Sequence, residues 1–246
     1  MAKSNGLGMG LLIGSSDLSG DVGVINNIST PVGALDITGI NKSAHERLQG
    51  LVDGIVGFNT YFNDATGAAH LALRAPFGTA SASRPLTIYF GADVGDAAFM
   101  ADTMSLNYDG SREADGMLTF DVELNTLTTL PTYGVMLTSA SDTHTGATNG
   151  TTVDQGAQTT AGAEAILHVT SFTGSNFTAT VQDSSNGSSW GTLKAFTQVT
   201  DIGTERVTVS GTVERYVRVI STGTFNPVTF AVSFRRGTAT DRVTYS

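Results

Sequence analysis

Alternation of apolar and polar positions dominates this chain, and helical spacing is rare. Ile55–Phe62 places Val56, Phe58, Thr60 and Phe62 on one face and Ile55, Gly57, Asn59 and Tyr61 on the other. A period of two sends alternate side chains to opposite sides of a sheet, so one of these faces is predicted to be core. Ala34–Thr38 is a shorter strand of the same kind, and the polar stretch Gly39–Gly54 between them is longer than a simple hairpin needs. Such a loop usually works outside its own core. Gly116–Leu124 alternates cleanly: Met117, Thr119, Asp121 and Glu123 oppose Leu118, Phe120, Val122 and Leu124. Its polar face is acidic and is predicted to meet water or a lumen.

Further strands are predicted at Leu11–Ile13, Val22–Ile25, Ala68–Arg74, Pro85–Gly91 and Thr132–Thr138. Within the polar loop, Ser43-Ala44-His45-Glu46 fits a capping box, which predicts one or two helical turns ending at Gly50. Residues 92–104 admit two readings: a short helix capped by Asp96, or a buried strand from Ala98 to Leu106. Ser139–Gly162 is Ser, Thr, Gly and Ala with almost nothing apolar, and a domain boundary is placed there, near residue 150. Beyond it, Ala163–Thr170, Phe177–Gln182, Arg206–Ser210, Val213–Ile220 and Thr229–Phe234 read as five strands of a small β-sandwich. Trp190, the only tryptophan, follows a hairpin-type turn and is predicted to plug that core.

Composition narrows the class. The 246 residues include 29 Gly, well above the usual ~7%. Together with abundant Ser, Thr and Val, this favours short strands and tight turns. There is no cysteine, which excludes a disulfide scaffold, a thiolate metal site and a cysteine nucleophile, and fits a reducing compartment. No apolar run approaches the ~20 residues of a membrane span, and Met1–Gly14 lacks the features of a signal peptide. The net charge of −9 is uneven. Residues 1–150 hold 6 Lys and Arg against 15 Asp and Glu, whereas residues 151–246 hold 7 of each. An acidic first half does not bind nucleic acid by neutralising phosphates. It suits either an ordinary soluble surface or a passage through which DNA slides.

No constellation points to catalysis. Gly187-Ser188-Ser189-Trp190-Gly191 matches a nucleophile-elbow pattern, but no histidine follows His168 and the segment is a turn in a β-domain. Gly6-Leu7-Gly8-Met9-Gly10 lacks the strand that a nucleotide loop requires. The four histidines, His45, His70, His144 and His168, have no metal-ligand spacing. The acidic turns at Asp93/Asp96 and Asp109/Glu113/Asp115 lack the calcium-loop pattern. Phe172, Phe177, Tyr216 and Phe225 offer a conceivable sugar platform, but their strand phase favours the core.

Two stretches carry a resemblance. The first is Ile13-Gly14-Ser15-Ser16-Asp17-Leu18-Ser19-Gly20-Asp21. The second is Leu35-Asp36-Ile37-Thr38-Gly39-Ile40-Asn41-Lys42-Ser43-Ala44-His45-Glu46-Arg47, followed by Gly50–Gly54 and the aromatic strand ending Phe62-Asn63. In this order the chain resembles the major tail (tail-tube) proteins of long-tailed, siphovirus-type bacteriophages, especially those of actinobacterial hosts. The run Glu205–Val219 resembles the immunoglobulin-like or carbohydrate-module-like domain that such proteins often carry.

The resemblance implies a mainly β fold. Residues 1–150 would form a tail-tube β-sandwich or barrel with one short helix, and residues 151–246 a small decorating β-sandwich. It implies a non-enzymatic virion protein that assembles in the host bacterial cytoplasm into stacked, hexameric rings, with no cofactor and no membrane. Its partners would be further copies, the tape measure, terminator and baseplate or tip proteins, phage DNA passing unbound through the lumen, and weakly, host-surface glycans. Ile40, Asn41, Lys42, Ser43, His45, Glu46 and Arg47 are the candidate subunit-contact loop, and Asp121 and Glu123 the candidate lumen acids. The alternative is a surface or secreted carbohydrate-binding β-sandwich protein.

Overall fold

The computed structural model describes residues 6–75, 83–127 and 129–238. Met1–Asn5 and most of the Ser-, Ala- and Pro-rich turn before Pro85 lie outside them. The fold is mainly β. In chain order the strands are β1 (Gly10–Ile13), β2 (Ser16–Asp17), β3 (Val22–Ser29), β4 (Val32–Asp36), β5 (Arg47–Val52) and β6 (Ile55–Tyr61). After helix α1 (Ala69–Arg74) come β7 (Arg84–Tyr89), β8 (Ala97–Arg112), β9 (Leu118–Thr126) and β10 (Thr132–Met136). The short β11 (Asp142–His144), β12 (Thr148–Asn149) and β13 (Val153–Asp154) precede β14 (Ala163–Ser184), β15 (Gly191–Ala195), β16 (Gly203–Val209) and β17 (Tyr216–Arg236).

The first core lies between two layers that share β8. Early in its length β8 pairs with β7, which pairs with β1; later it pairs with β9, which leads to β6 and β3. Leu11, Ile13, Phe58, Leu86, Phe99 and Leu124 pack between the layers. Of residues 92–104, those from Ala97 onward are strand, and 92–96 form the turn that leads into it. Ala68–Arg74, expected as strand, is instead the helix, and it buries Ala69 and Leu73 in this core. Ala, His, Leu and Arg tolerate a helix well. The N-terminus has no local side-chain cap. Asp21 supplies one from 48 residues away by accepting the Ala69 N–H at 2.9 Å. Its other carboxylate oxygen accepts Asn63 Nδ2 at 2.8 Å.

The second core is built on two very long strands. β14 and β17 pair antiparallel along almost their whole lengths, with register shifts around Val169–Asn176. Each was expected as two strands. The bulges break the period of two there without ending the strand. At Gly223 the backbone has φ +131°, and a Cβ would stand 2.4 Å from Asn176 O. A glycine that looks like a break in the sequence thus permits a close approach. Phe177, Val181, Val217, Val219, Phe230 and Phe234 fill this core.

The apolar-poor stretch 139–162 is fastened down: β11, β12 and β13 all pair with β17. A hydrogen-bonded chain helps to hold it. Asp142 Oδ2 lies 3.2 Å from His144 Nε2, and His144 Nδ1 lies 2.8 Å from Ser221 Oγ, which also accepts the Thr148 N–H at 3.0 Å. Ser221 is buried, so this Asp–His–Ser series ties strands together.

One sheet runs through both halves. β10 pairs with β8 on one side and β17 on the other. Gly134 makes that junction possible, because a Cβ there would sit 2.2 Å from Phe234 O. Buried polar groups cross the same seam. Glu164 on β14 pairs with Arg206 on β16 and accepts the Thr132 hydroxyl of β10. His168 on β14 reaches Thr87 on β7 and the Gly14 carbonyl.

Candidate assembly surfaces

Among the described residues, β4 and β5 form an exposed arm. They make a two-stranded sheet of their own, with Leu35 opposite Leu48 and Asp36 opposite Arg47. The arm leaves the body at Pro31 and returns at Asp53, whose N–H donates to Pro31 O at 2.9 Å. Between those points no residue is buried, and none joins a hydrophobic core. Yet the arm carries Val32, Leu35, Ile37, Ile40, Leu48 and Leu51, all exposed, with Leu51 at 92% and Ile40 fully open.

The seven candidate contact residues lie at its tip and on the first residue of β5. The expected helix at Ser43–Glu46 is absent, because both halves of the capping box are engaged elsewhere. The Glu46 N–H donates to Thr38 Oγ1 at 2.9 Å, and the Glu46 carboxylate pairs with Lys42 Nζ at 2.9 Å. Asp36 organises the turn. It accepts the Thr38 hydroxyl and the Thr38 N–H, and its other oxygen meets His45 Nδ1 at 2.8 Å. Those hydrogen bonds, led by the Thr38 hydroxyl, hold the Asp36 carboxyl below its ordinary range. The tip is thus shaped by its own polar groups, while Ile40, Asn41 and Ser43 face outward.

Asp121 and Glu123 are exposed on β9, with Val122 buried between them. Across the ladder, Asp121 stands opposite Asn59 on β6 and Asp109 on β8, and Glu123 opposite Gly57 and Asn107. Asn59 Nδ2 donates to Asp121 Oδ1 at 3.0 Å. No Lys or Arg occupies these register positions, which hold three carboxylates. Like charges directly opposite each other, as Asp109 and Asp121 are, weaken a sheet pair by a few tenths to ~1 kcal/mol. The alternation along β9 makes Asp121 and Glu123 legible as exposed acids. Asp109 sits in a stretch that reads as a turn, because a register shift near Leu106 carries β8 further than its pattern suggests.

A conceivable sugar platform on the second half does not form as read. Phe177 and Phe225 lie in the core, with ring centroids 5.4 Å apart, while Phe172 and Tyr216 are half-buried. Trp190 is not a core plug. It is half-buried at the surface under the Arg218 guanidinium, 4.2 Å from the ring centroid. Gln182 Oε1 holds that guanidinium by accepting from Nε and Nη2 at 2.9 and 2.8 Å.

No protein-family model matches the chain, and no curated protein matches it. Solved structures similar to it include a chain from the virion of a native gene transfer agent particle. That chain has a TM-score of 0.43 at 16% identity, over 53% of this chain and 98% of its own length. The Dit protein of phage SPP1, titled a paradigm of the hub adsorption apparatus in phages infecting Gram-positive bacteria, has a TM-score of 0.35 at 10% identity. It covers 93% of this chain and 99% of its own. A chain of the phage p2 baseplate in its activated conformation has 0.33 at 9% identity, over 93% and 98%.

Proposed function

We propose that this chain is a structural subunit of a bacteriophage tail, the one that builds the tail tube, and that it acts by assembly. The observation that carries this reading is the arm: 21 consecutive residues, β4 through β5, none of them buried, with six large aliphatic side chains exposed. An isolated two-stranded ribbon is marginal in water, and exposed apolar patches of this size are interaction surfaces. The arm therefore gains its cover from neighbours. The resemblance along residues 13–21 and 35–63 supports the same reading, as does the uneven charge.

In this reading residues 1–150 form stacked rings, hexameric as in the resembled family, and residues 151–246 decorate the outside. The loop Ile40–Arg47 meets a neighbouring subunit. Asp121 and Glu123, with Asp109, face the passage, where like charge lets phage DNA slide without sticking. Tape measure, terminator and baseplate or tip proteins meet the tube's bore and ends. The protein is made and assembled in the host bacterial cytoplasm and resides in the virion tail. Negative-stain electron microscopy of the purified protein over a range of concentrations tests the reading. Rings or tubes are expected, and monomers at every concentration, together with tails that lack the protein, would refute it.

A further inference from the structure

A groove of about 450 Å³ runs beside β3. Met9, Leu11, Val22, Val24, Ile25 and Ile28 are its apolar lining. Among the described residues the only strand that pairs with β3 is β6; the Val22 N–H is taken by the Leu18 carbonyl, and beyond Val22 the second edge of β3 has no strand partner next to this groove. No residue of the arm of the same copy lines it.

We infer that the groove receives the β4–β5 arm of a second copy of this chain, whose ribbon extends the sheet at β3. This rests on the assembly reading above and names the surface on which the arm lands. Three observations select a second copy. The first is area. The six exposed large aliphatic residues of the arm present about as much surface as four fully open ones, on the order of 700 Å², close to the ~800 Å² each partner contributes to a standard interface. The second is charge. On the arm, Lys42 pairs with Glu46 and Asp36 with His45, while Arg47 stands opposite Asp36. The groove is lined by apolar residues, glycines, asparagines and one serine, with no ionisable side chain. Docking therefore strands no charge in an apolar site. The third is length. The ribbon strands of five and six residues fit within the eight of β3, at ~3.3 Å per residue. Arm and groove are different surfaces, so the contact is head-to-tail and repeats from copy to copy, as a ring or filament requires.

The absence of cysteine makes the test direct. Leu35→Cys or Leu48→Cys in the arm is combined with Val24→Cys or Ile28→Cys in the groove. The full chain is oxidised under assembling conditions and run on a non-reducing gel. A ladder of dimers and larger species is expected from at least one of the four pairs, and monomer from every single-site variant. Rings in the microscope without a ladder from any pair would overturn the arm-in-groove contact and leave the assembly reading standing. A dimer from an arm cysteine alone would replace it with arm-to-arm packing. Neither rings nor ladder would sink both.

Discussion

His168 shows how much of this structure rests on a single neutral side chain. It is fully buried where the two halves of the chain meet. The Gly14 carbonyl can only accept, so His168 Nδ1 carries the proton and donates to it at 2.7 Å. Nε2 then accepts the Thr87 hydroxyl at 2.9 Å, and Thr87 Oγ1 in turn accepts from Ser233 Oγ at 2.9 Å. Burial pulls the imidazole down to about 4, with the Gly14 hydrogen bond and the Asp17 charge opposing it. Between its ordinary value and about 4, the unfolded chain binds a proton that the folded chain refuses. The stability His168 contributes is therefore present above pH ~6.5 and is lost as the pH falls through this window. From pH 6.5 to 5, where most carboxylates remain ionised, the expected loss is on the order of 2 kcal/mol. Urea unfolding midpoints across that range measure it. A His168→Gln chain that folds should show a flatter dependence, and equal slopes in the two proteins would exclude His168 as the source.

At the scale of elements, the arm's exposed aliphatics separate folding from assembly. Leu35→Ser with Leu48→Ser removes a cross-strand apolar pair that touches no core. The monomer should change in stability by no more than ~0.5 kcal/mol per site, as surface substitutions do. Rings should be lost or require a much higher protein concentration, as read by sedimentation and microscopy. Assembly at the unaltered concentration would mean that this face of the arm is not an interface.

The same arm shows where sequence reading stops. Strands at Ile55–Tyr61 and Leu118–Thr126 were legible because one of their faces is core, and burial imposes the period of two. Leu35, Ile37 and Leu48 carry a similar local pattern, and nothing nearby in sequence says that no second layer covers them. The helix at Ala69–Arg74 was misread because its cap, Asp21, is remote. The capping box at Ser43–Glu46 misled because Thr38 and Lys42 already hold its glutamate. The long strands β14 and β17 were cut in two because bulges reset their faces. In each case a partner distant in sequence, or a register shift, decided the outcome over local propensity.

At the scale of the whole molecule, charge links the arrangement of the chain to its proposed task. All nine excess negative charges belong to residues 1–150, and Asp109, Asp121 and Glu123 share one sheet face with no cation between them. If that face lines a passage, each ring repeats its carboxylates once per subunit, and the bore repels the phosphates of passing DNA. Reversing them converts repulsion into binding. Asp121→Lys with Glu123→Lys shifts each subunit by four charges, at positions whose side chains are exposed and whose backbone pairing needs neither carboxylate. Assembled tubes of this variant should retain double-stranded DNA at low salt and release it steeply as salt rises. The logarithm of affinity should fall by nearly one for each phosphate contact per tenfold increase in salt. Tubes of the unaltered protein should retain none. The comparison must use tubes, because a monomer displays the same lysines on an open surface and would bind whether or not they face a bore. Short duplexes able to enter the bore, followed by nuclease treatment, separate the two locations. DNA protected inside variant tubes places β9 on the lumen wall. DNA that is bound but fully digested places it on the outside, and the role assigned to Asp121 and Glu123 then falls while the arm's role in assembly stands.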